Sequence, residues 1–113
     1  MNLPTSAEIL RVYIGESDKS GGKPLYQAIV EEARKRGMAG ATVLRGTLGF
    51  GVNSRLHSAK VLRLSEDLPM VVEIVDKPER IEVFLPWLDT AVKEGLITIE
   101  TVRVIAYRSG DKK

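Results

Sequence analysis

Leu68 to Gly95 reads LPMVVEIVDKPERIEVFLPWLDTAVKEG, and this stretch decides the fold. Met70, Val72 and Ile74 alternate with Val71, Glu73 and Val75 in a run rich in β-branched residues, the pattern of a strand. Pro78 follows at a point where its missing N–H is harmless, so it suits the first turn of a helix. Ile81, Phe84, Leu85, Leu88, Ala91 and Val92 then recur at helical spacing. Pro86 lies inside that helix and is expected to kink it, because it removes one backbone bond and crowds the preceding turn. Gly95 is expected to end it. Phe84 reads as core, and Trp87 as core edge or interface.

The first half of the chain repeats this logic. Glu8 to Gly15 is a strand, with Leu10, Val12 and Ile14 on one side and Ile9, Arg11 and Tyr13 on the other. Ser17 to Lys23 is a turn-rich loop, and Pro24 opens a helix whose stripe is Leu25, Ile29 and Ala33. Lys35 and Arg36 favour the negative end of its dipole, and Gly37 suits its terminus. Ala41 to Leu48 reads as a second strand, His57 to Leu64 as a strand-like arm, and Ile97 to Tyr107 as the last strand. The order is β-α-β, long loop, β-α-β. It predicts one α+β domain over residues 1–113, a ferredoxin-like βαββαβ sandwich with two helices on one face of a four-stranded antiparallel sheet. Ile9, Tyr13, Val71 and Val75 make the other face too apolar for open water. Two helices cannot cover both faces, so a homo-oligomer is expected.

Composition narrows the class of function. The chain has 113 residues, 43% of them apolar, which suits one domain with a real core. No apolar run approaches the ~20 residues of a membrane span, and the first residues do not read as a signal peptide. Cysteine is absent and there is one histidine, which excludes thiolate chemistry and multi-histidine metal sites within one chain. A cytoplasmic location is the expectation. Only two Asn and one Gln occur, a composition consistent with a thermophilic source. Between Glu32 and Glu66 there are seven cations and no carboxylate, which leaves ten cations and fifteen carboxylates elsewhere. This basic block implies an anionic partner, or else simply solvates helix and loop surfaces.

Several motifs carry candidate chemistry. In Arg45-Gly46-Thr47-Leu48-Gly49-Phe50-Gly51, three glycines near a strand end allow backbone N–H groups to converge on a phosphate. The alternative is a bend that needs glycine for its conformation alone. Gly15 to Lys23 fails as a Walker motif, since Pro24 follows Gly22-Lys23 and Ser17 replaces the first glycine. Glu73 lies opposite Met70, Val72 and Ile74, where it either accepts from an adenine amino group or pairs with an arginine. Arg103 and Arg108 are fork donors suited to phosphate, or surface ion-pair partners. His57 reads as a polar loop residue, with a proton-carrying or shared-metal role as the alternative.

Glu16 to Arg34 (ESDKSGGKPLYQAIVEEAR), Gly40 to Gly51 (GATVLRGTLGFG) and Ser65 to Asp76 (SEDLPMVVEIVD) resemble a small PII-like family of bacteria and archaea, known as a domain of unknown function. More distantly, Gly49-Phe50-Gly51, Val72 to Ile81 and Val102 to Asp111 are similar to the PII nitrogen-regulatory proteins. The resemblance implies a homotrimer that binds an adenine nucleotide between subunits, with a long T-loop-like segment at about 52–67. It places Thr42, Gly49, Phe50, Gly51 and Glu73 near the nucleotide, with Arg108 and Arg103 reaching phosphates from the neighbouring subunit. Arg55, His57, Lys60 and Arg63 belong to the basic loop, which would meet a partner such as a membrane channel or transporter. Where PII proteins carry a glycine-rich loop with a phosphate-binding lysine, this chain has Lys93-Glu94-Gly95-Leu96-Ile97, and Ala106 stands for one of two arginines. ADP, ATP, AMP and cyclic nucleotides are therefore all admitted as ligands.

Two other classes compete. An RNA-binding module needs aromatic stacking residues on the sheet. Leu68 to Val75 has none and the first strand offers only Tyr13, so no nucleic-acid partner is expected. A trimeric metal- or small-molecule-binding protein without nucleotide is the other alternative. No nucleophile–base pair is visible and His57 stands alone as a metal ligand, so neither enzyme activity nor a metal is expected.

Overall fold

The computed structural model describes residues 5–51, 57–58 and 67–110. The elements are β1 (Ser6–Gly15), β2 (Lys19–Ser20), β3 (Lys23–Pro24), α1 (Leu25–Lys35), β4 (Ala41–Arg45), β5 (Leu48–Gly49), β6 (His57–Ser58), β7 (Pro69–Asp76), α2 (Pro78–Ala91) and β8 (Leu96–Arg103). Four of them form an antiparallel sheet in the order β4-β7-β1-β8, the βαββαβ arrangement expected. β1 and β7 lie side by side in its centre, with Leu10 opposite Ile74 and Val12 opposite Val72.

One face of this centre is the core. Leu10, Val12, Ile14, Met70, Val72 and Ile74 meet Leu25, Ile29 and Ala33 of α1 and Ile81, Phe84 and Leu88 of α2, all buried. The stripes that sequence spacing marks as apolar are the ones that pack. Phe84 is fully buried, and Trp87 stacks on it with ring centroids 5.5 Å apart. α2 runs unbroken through Pro86.

Four boundaries differ from the sequence reading. The second strand stops at Arg45, and Gly46 N–H makes the last bond, to Pro69 O at 2.7 Å. The last strand stops at Arg103, and Val104 N–H makes the last bond, to Thr5 O at 2.6 Å. Both strands end because their partner does: β7 begins at Pro69 and β1 at Ser6, so alternation beyond those points has nothing to pair with. α2 ends at Ala91, before Gly95. Within Ser17 to Lys23, β2 and β3 form a small hairpin with Lys19 opposite Pro24 and Ser20 opposite Lys23. Of the His57–Leu64 arm, only His57 and Ser58 are among the described residues, and they pair with Gly49 and Leu48.

The second face is banded. Antiparallel partners share a face, so Leu44, Val71, Tyr13 and Leu96 form an apolar row across all four strands. The next row, Thr42, Glu73, Arg11 and Thr98, is polar. Arg11 donates from Nε to Glu73 at 3.0 Å and from Nη1 to Glu100. Beyond it Ile9 and Ala7 are 8% and 0% exposed, whereas Tyr13, Leu44 and Leu96 are 39%, 49% and 55% exposed.

Asp76 is the one buried charged residue among those described. Its carboxylate accepts from Lys77 N–H at 2.7 Å and from Ala39 N–H at 2.9 Å. Arg80 Nε lies 3.4 Å from it, while Arg80 Nη2 donates to Arg36 O and Gly37 O at 2.8 Å each. This clasp joins the start of α2 to the end of α1. Asp76→Ala strands two amide donors and is expected to cost about 3 kcal/mol in urea unfolding. Phe84→Ala is expected to cost about 3–5 kcal/mol by the same measurement, because a fully buried ring leaves a cavity.

Candidate functional site

Two cavities open at opposite ends of β1 and β7. The larger, about 610 Å³, is bounded by the end of β1, the Leu48–Gly51 bend, the start of β7 and the approach to β8. The smaller, about 340 Å³, lies between the Ala39–Thr42 segment, Glu73, Val75 and the C-terminal residues Val104, Ala106 and Tyr107. Both volumes fall within the ~300–1,000 Å³ usual for small-molecule sites.

The larger cavity is built from tight backbone approaches. A Cβ on Gly49 would meet Pro69 Cγ at 3.0 Å, so the bend lies directly against the start of β7. Gly95 has φ +152°, and a Cβ there would meet Tyr13 O at 2.6 Å. Gly51 has open space around its Cα. The floor is apolar, with Ile14, Met70, Pro69 and Leu96, and Phe50 stands 70% exposed at the edge.

The rim is held by carboxylates. Asp18 Oδ2 accepts from Gly15 N–H and Asp67 Oδ1 accepts from Ser17 N–H, each at 2.9 Å. Glu16 N–H donates to Leu68 O at 2.9 Å, and Arg45 Nη2 pairs with Glu16 at 3.0 Å. These bonds lock the end of β1 to the approach to β7. Glu94 adds a third carboxylate, and among the described residues no Lys, Arg or His lines this cavity.

The residues singled out in the sequence divide between the two cavities within one chain. Gly49, Phe50 and Gly51 line the larger one, and Thr42 and Glu73 the smaller. Arg103 and Arg108 are exposed and line neither. Arg55, Lys60 and Arg63 lie outside the described residues, and His57 is described only through its pairing with Gly49. For Glu73 the structure shows the arginine pairing: Arg11 takes its carboxylate, and the bonds to Glu73 and then Glu100 push the guanidinium pKa further up. Lys23, the lysine of the segment that fails as a Walker motif, pairs with Glu31 at 2.6 Å. Sequence reasoning missed Asp18, Asp67 and Gly95 as parts of the larger cavity. Their only signal was position beside the turns flanking β1, β7 and β8.

The family model DUF190, described as an uncharacterized ACR, matches residues 7–104. The chain belongs to the DUF190 family. A UPF0166 protein of Aquifex aeolicus (strain VF5) is 40% identical over 98 residues, covering 87% of this chain and 92% of the relative. A UPF0166 protein of Methanocaldococcus jannaschii is 38% identical over 99 residues, 87% of this chain and 91% of the relative. Among solved structures, CPII, a nitrogen regulatory PII-like protein from Thiomonas intermedia K12 bound to ADP, AMP and bicarbonate, superposes with a TM-score of 0.59 at 14% identity. The match covers 88% of each chain. The DUF190 chain therefore has the fold of a PII-like protein, as the resemblance implied.

Gly95 and Gly51, two of the glycines that line the larger cavity, differ sharply in what surrounds them. Gly95→Ala is expected to lose about 2 kcal/mol or more in urea unfolding, since the new Cβ meets a backbone carbonyl in a conformation that side chains avoid. Gly51→Ala is expected to be neutral, or to stabilise by less than about 1 kcal/mol.

Proposed function

We propose that this DUF190 chain is a PII-like regulatory protein without catalytic activity. It binds an adenine nucleotide (ADP, ATP or AMP) in clefts between the subunits of a homotrimer. Segment 52–67, with Arg55, His57, Lys60 and Arg63, then acts on a partner, and the PII resemblance makes a membrane channel or transporter the class to test. One observation carries the reading. The larger cavity opens against Gly49-Phe50-Gly51, in a fold shared with a protein that holds ADP and AMP.

The chemistry of the cavity supports a division of labour. Its apolar floor and the exposed Phe50 suit a flat base, while glycine backbone at the bend suits phosphate approach. Its described lining offers carboxylates and no cation, so the phosphate charge must be met from elsewhere. Arg103 and Arg108 of a second copy, and the cations of segment 52–67, are the sources in this reading. Tyr13 and Leu96 line the same cavity, and the apolar row they form with Leu44 and Val71 is the surface a second copy would cover in this reading.

Calorimetry with ADP tests this. Binding in the micromolar range is expected, weakening as salt rises because the contacts are charged. Gly51→Val is expected to lower affinity at least about tenfold with an unchanged unfolding midpoint, since open space surrounds that Cα. Absence of binding up to millimolar nucleotide would overturn the nucleotide reading.

A further inference from the structure

The strand pairing shows which backbone groups are left over. Val104 N–H donates to Thr5 O, in line with the β8–β1 ladder. Backbone groups alternate in direction along an antiparallel strand, so Val102, Glu100, Thr98 and Leu96 also face β1. Ile97, Ile99, Thr101 and Arg103 therefore turn their N–H and C=O groups away from the sheet. At the other margin, Gly46 N–H donates to Pro69 O in line with the β4–β7 ladder. Leu44 and Thr42 face β7 with it, and Ala41, Val43 and Arg45 face outward. Among the described residues no backbone bond reaches any of these outward positions.

An open edge is a template for another strand, and soluble proteins blunt it with proline, lysine, a bulge or extreme shortness. β8 uses none of these devices. Its eight residues, LITIETVR, include no proline or lysine, and its pairing with β1 runs without a bulge from Arg103 opposite Ser6 to Leu96 opposite Tyr13. Ile99, Thr101 and Arg103 are all exposed along it. β4 is shorter, ATVLR, and also lacks proline and lysine. The two edges suit each other. β4 and β8 run in opposite directions, so a second copy turned about an axis along the strands sets its β4 antiparallel to β8. The apolar row ends in Leu44 on β4 and Leu96 on β8, and the polar row ends in Thr42 and Thr98. Each row thus has like residues at both edges, and a copy set edge to edge carries both rows on. Pairing β8 with a second β8 instead would leave every β4 edge open.

We infer that copies of this chain join edge to edge, with β8 of one copy paired antiparallel to β4 of the next. The contact is between unlike edges, so it repeats around a ring, and closure covers both edges of every chain. The homotrimer proposed above needs two unlike surfaces to meet, and these edges supply them through backbone bonds. Leu96, at the start of β8, lines the larger cavity, so the seam runs beside it. The pairing itself does not rest on the nucleotide reading.

Amide hydrogen exchange of the full chain reads the seam without any ligand. The N–H groups of Ile97, Ile99 and Thr101, and of Val43 on β4, have no acceptor among the described residues. All four are expected to exchange at least about tenfold more slowly than in an unstructured peptide. Free exchange on β8 would overturn the inference, and protection on β8 with free exchange at Val43 would overturn the pairing with β4. Thr101→Pro removes an N–H that β1 does not use, a change that edge strands accept when the N–H faces outward. In sedimentation equilibrium it is expected to weaken association about tenfold, the scale of one or two lost hydrogen bonds, while Thr98 and Glu100 stay protected. Ile99→Lys puts a charge on the same edge and is expected to weaken association likewise, which keeps the test decisive should Thr101→Pro not fold. Association equal to that of the parent in Ile99→Lys, or a parent that sediments as a monomer at millimolar concentration, would overturn the seam. ADP calorimetry bears on the nucleotide reading alone, so the two can fail separately.

Discussion

The buried carboxylate of Asp76 is the point on which the described structure converges. It sits at the end of the central strand β7, where the chain must turn into α2. A buried charge is tolerable only when it is paired and hydrogen-bonded. Asp76 meets that demand by accepting from the turn at Lys77 and from the Ala39 segment that leads into β4. Arg80, one turn into α2, lies against it and reaches on to the carbonyls of Arg36 and Gly37 that end α1. Both β-α units are tied through one side chain. The carbonyl of the same Ala39 then takes the phenol of Tyr107. Displacing Asp76 would propagate to both helices, the edge strand and the C-terminal segment.

The two sheet faces show how far one chain can satisfy itself. Core-side residues of β1 and β7 are covered by two helices, and the hydrophobic effect suffices to explain that face. The other face is only partly resolved within the chain. Its middle is taken up by the Glu73–Arg11–Glu100 network, and at one end Ala7 and Ile9 are buried within the chain. The remaining apolar row reaches the larger cavity through Tyr13 and Leu96. The sequence expectation that other copies of the chain cover this face is thus narrowed to one end of it, since the chain itself attends to the rest. The same banding distinguishes the two cavities: the apolar row gives Tyr13 and Leu96 to the larger, and the polar row gives Thr42 and Glu73 to the smaller.

Charge tells a parallel story. The cation-rich block between Glu32 and Glu66 reads in sequence as one positive feature, but folding disperses its described members. Arg36 pairs with Glu32 and lies over the Phe84 ring at 5.4 Å. Arg45 pairs with Glu16. The described lining of the cavity beside the glycine bend carries Asp18, Asp67 and Glu94, and backbone amides donate to the first two. Linear charge counting fails here because carboxylates distant in sequence, Glu16 among them, return to the same surface.

Most of the fold was legible in the sequence because it depends on local periodicity. Alternation marked β1 and β7, helical spacing marked Ile81, Phe84 and Leu88, and Pro24 and Pro78 marked where helices begin. The glycines of Gly46 to Gly51 marked either a phosphate site or a bend in the sequence, and the structure adds that Gly49, Phe50 and Gly51 line a cavity. The ends of β4 and β8 were not, because a strand stops where its partner stops and the partner lies tens of residues away. Nor could spacing show which partner Glu73 would choose; cross-strand register put Arg11 beside it. The sequence alone determined which residues could alternate, turn and bury. The tertiary structure decided which polar groups met: Asp76 with Ala39, Arg11 with Glu73, Tyr107 with Ala39. These are pairings across 37 to 68 residues of chain, and only the folded backbone brings such groups within the ~3 Å that a hydrogen bond requires.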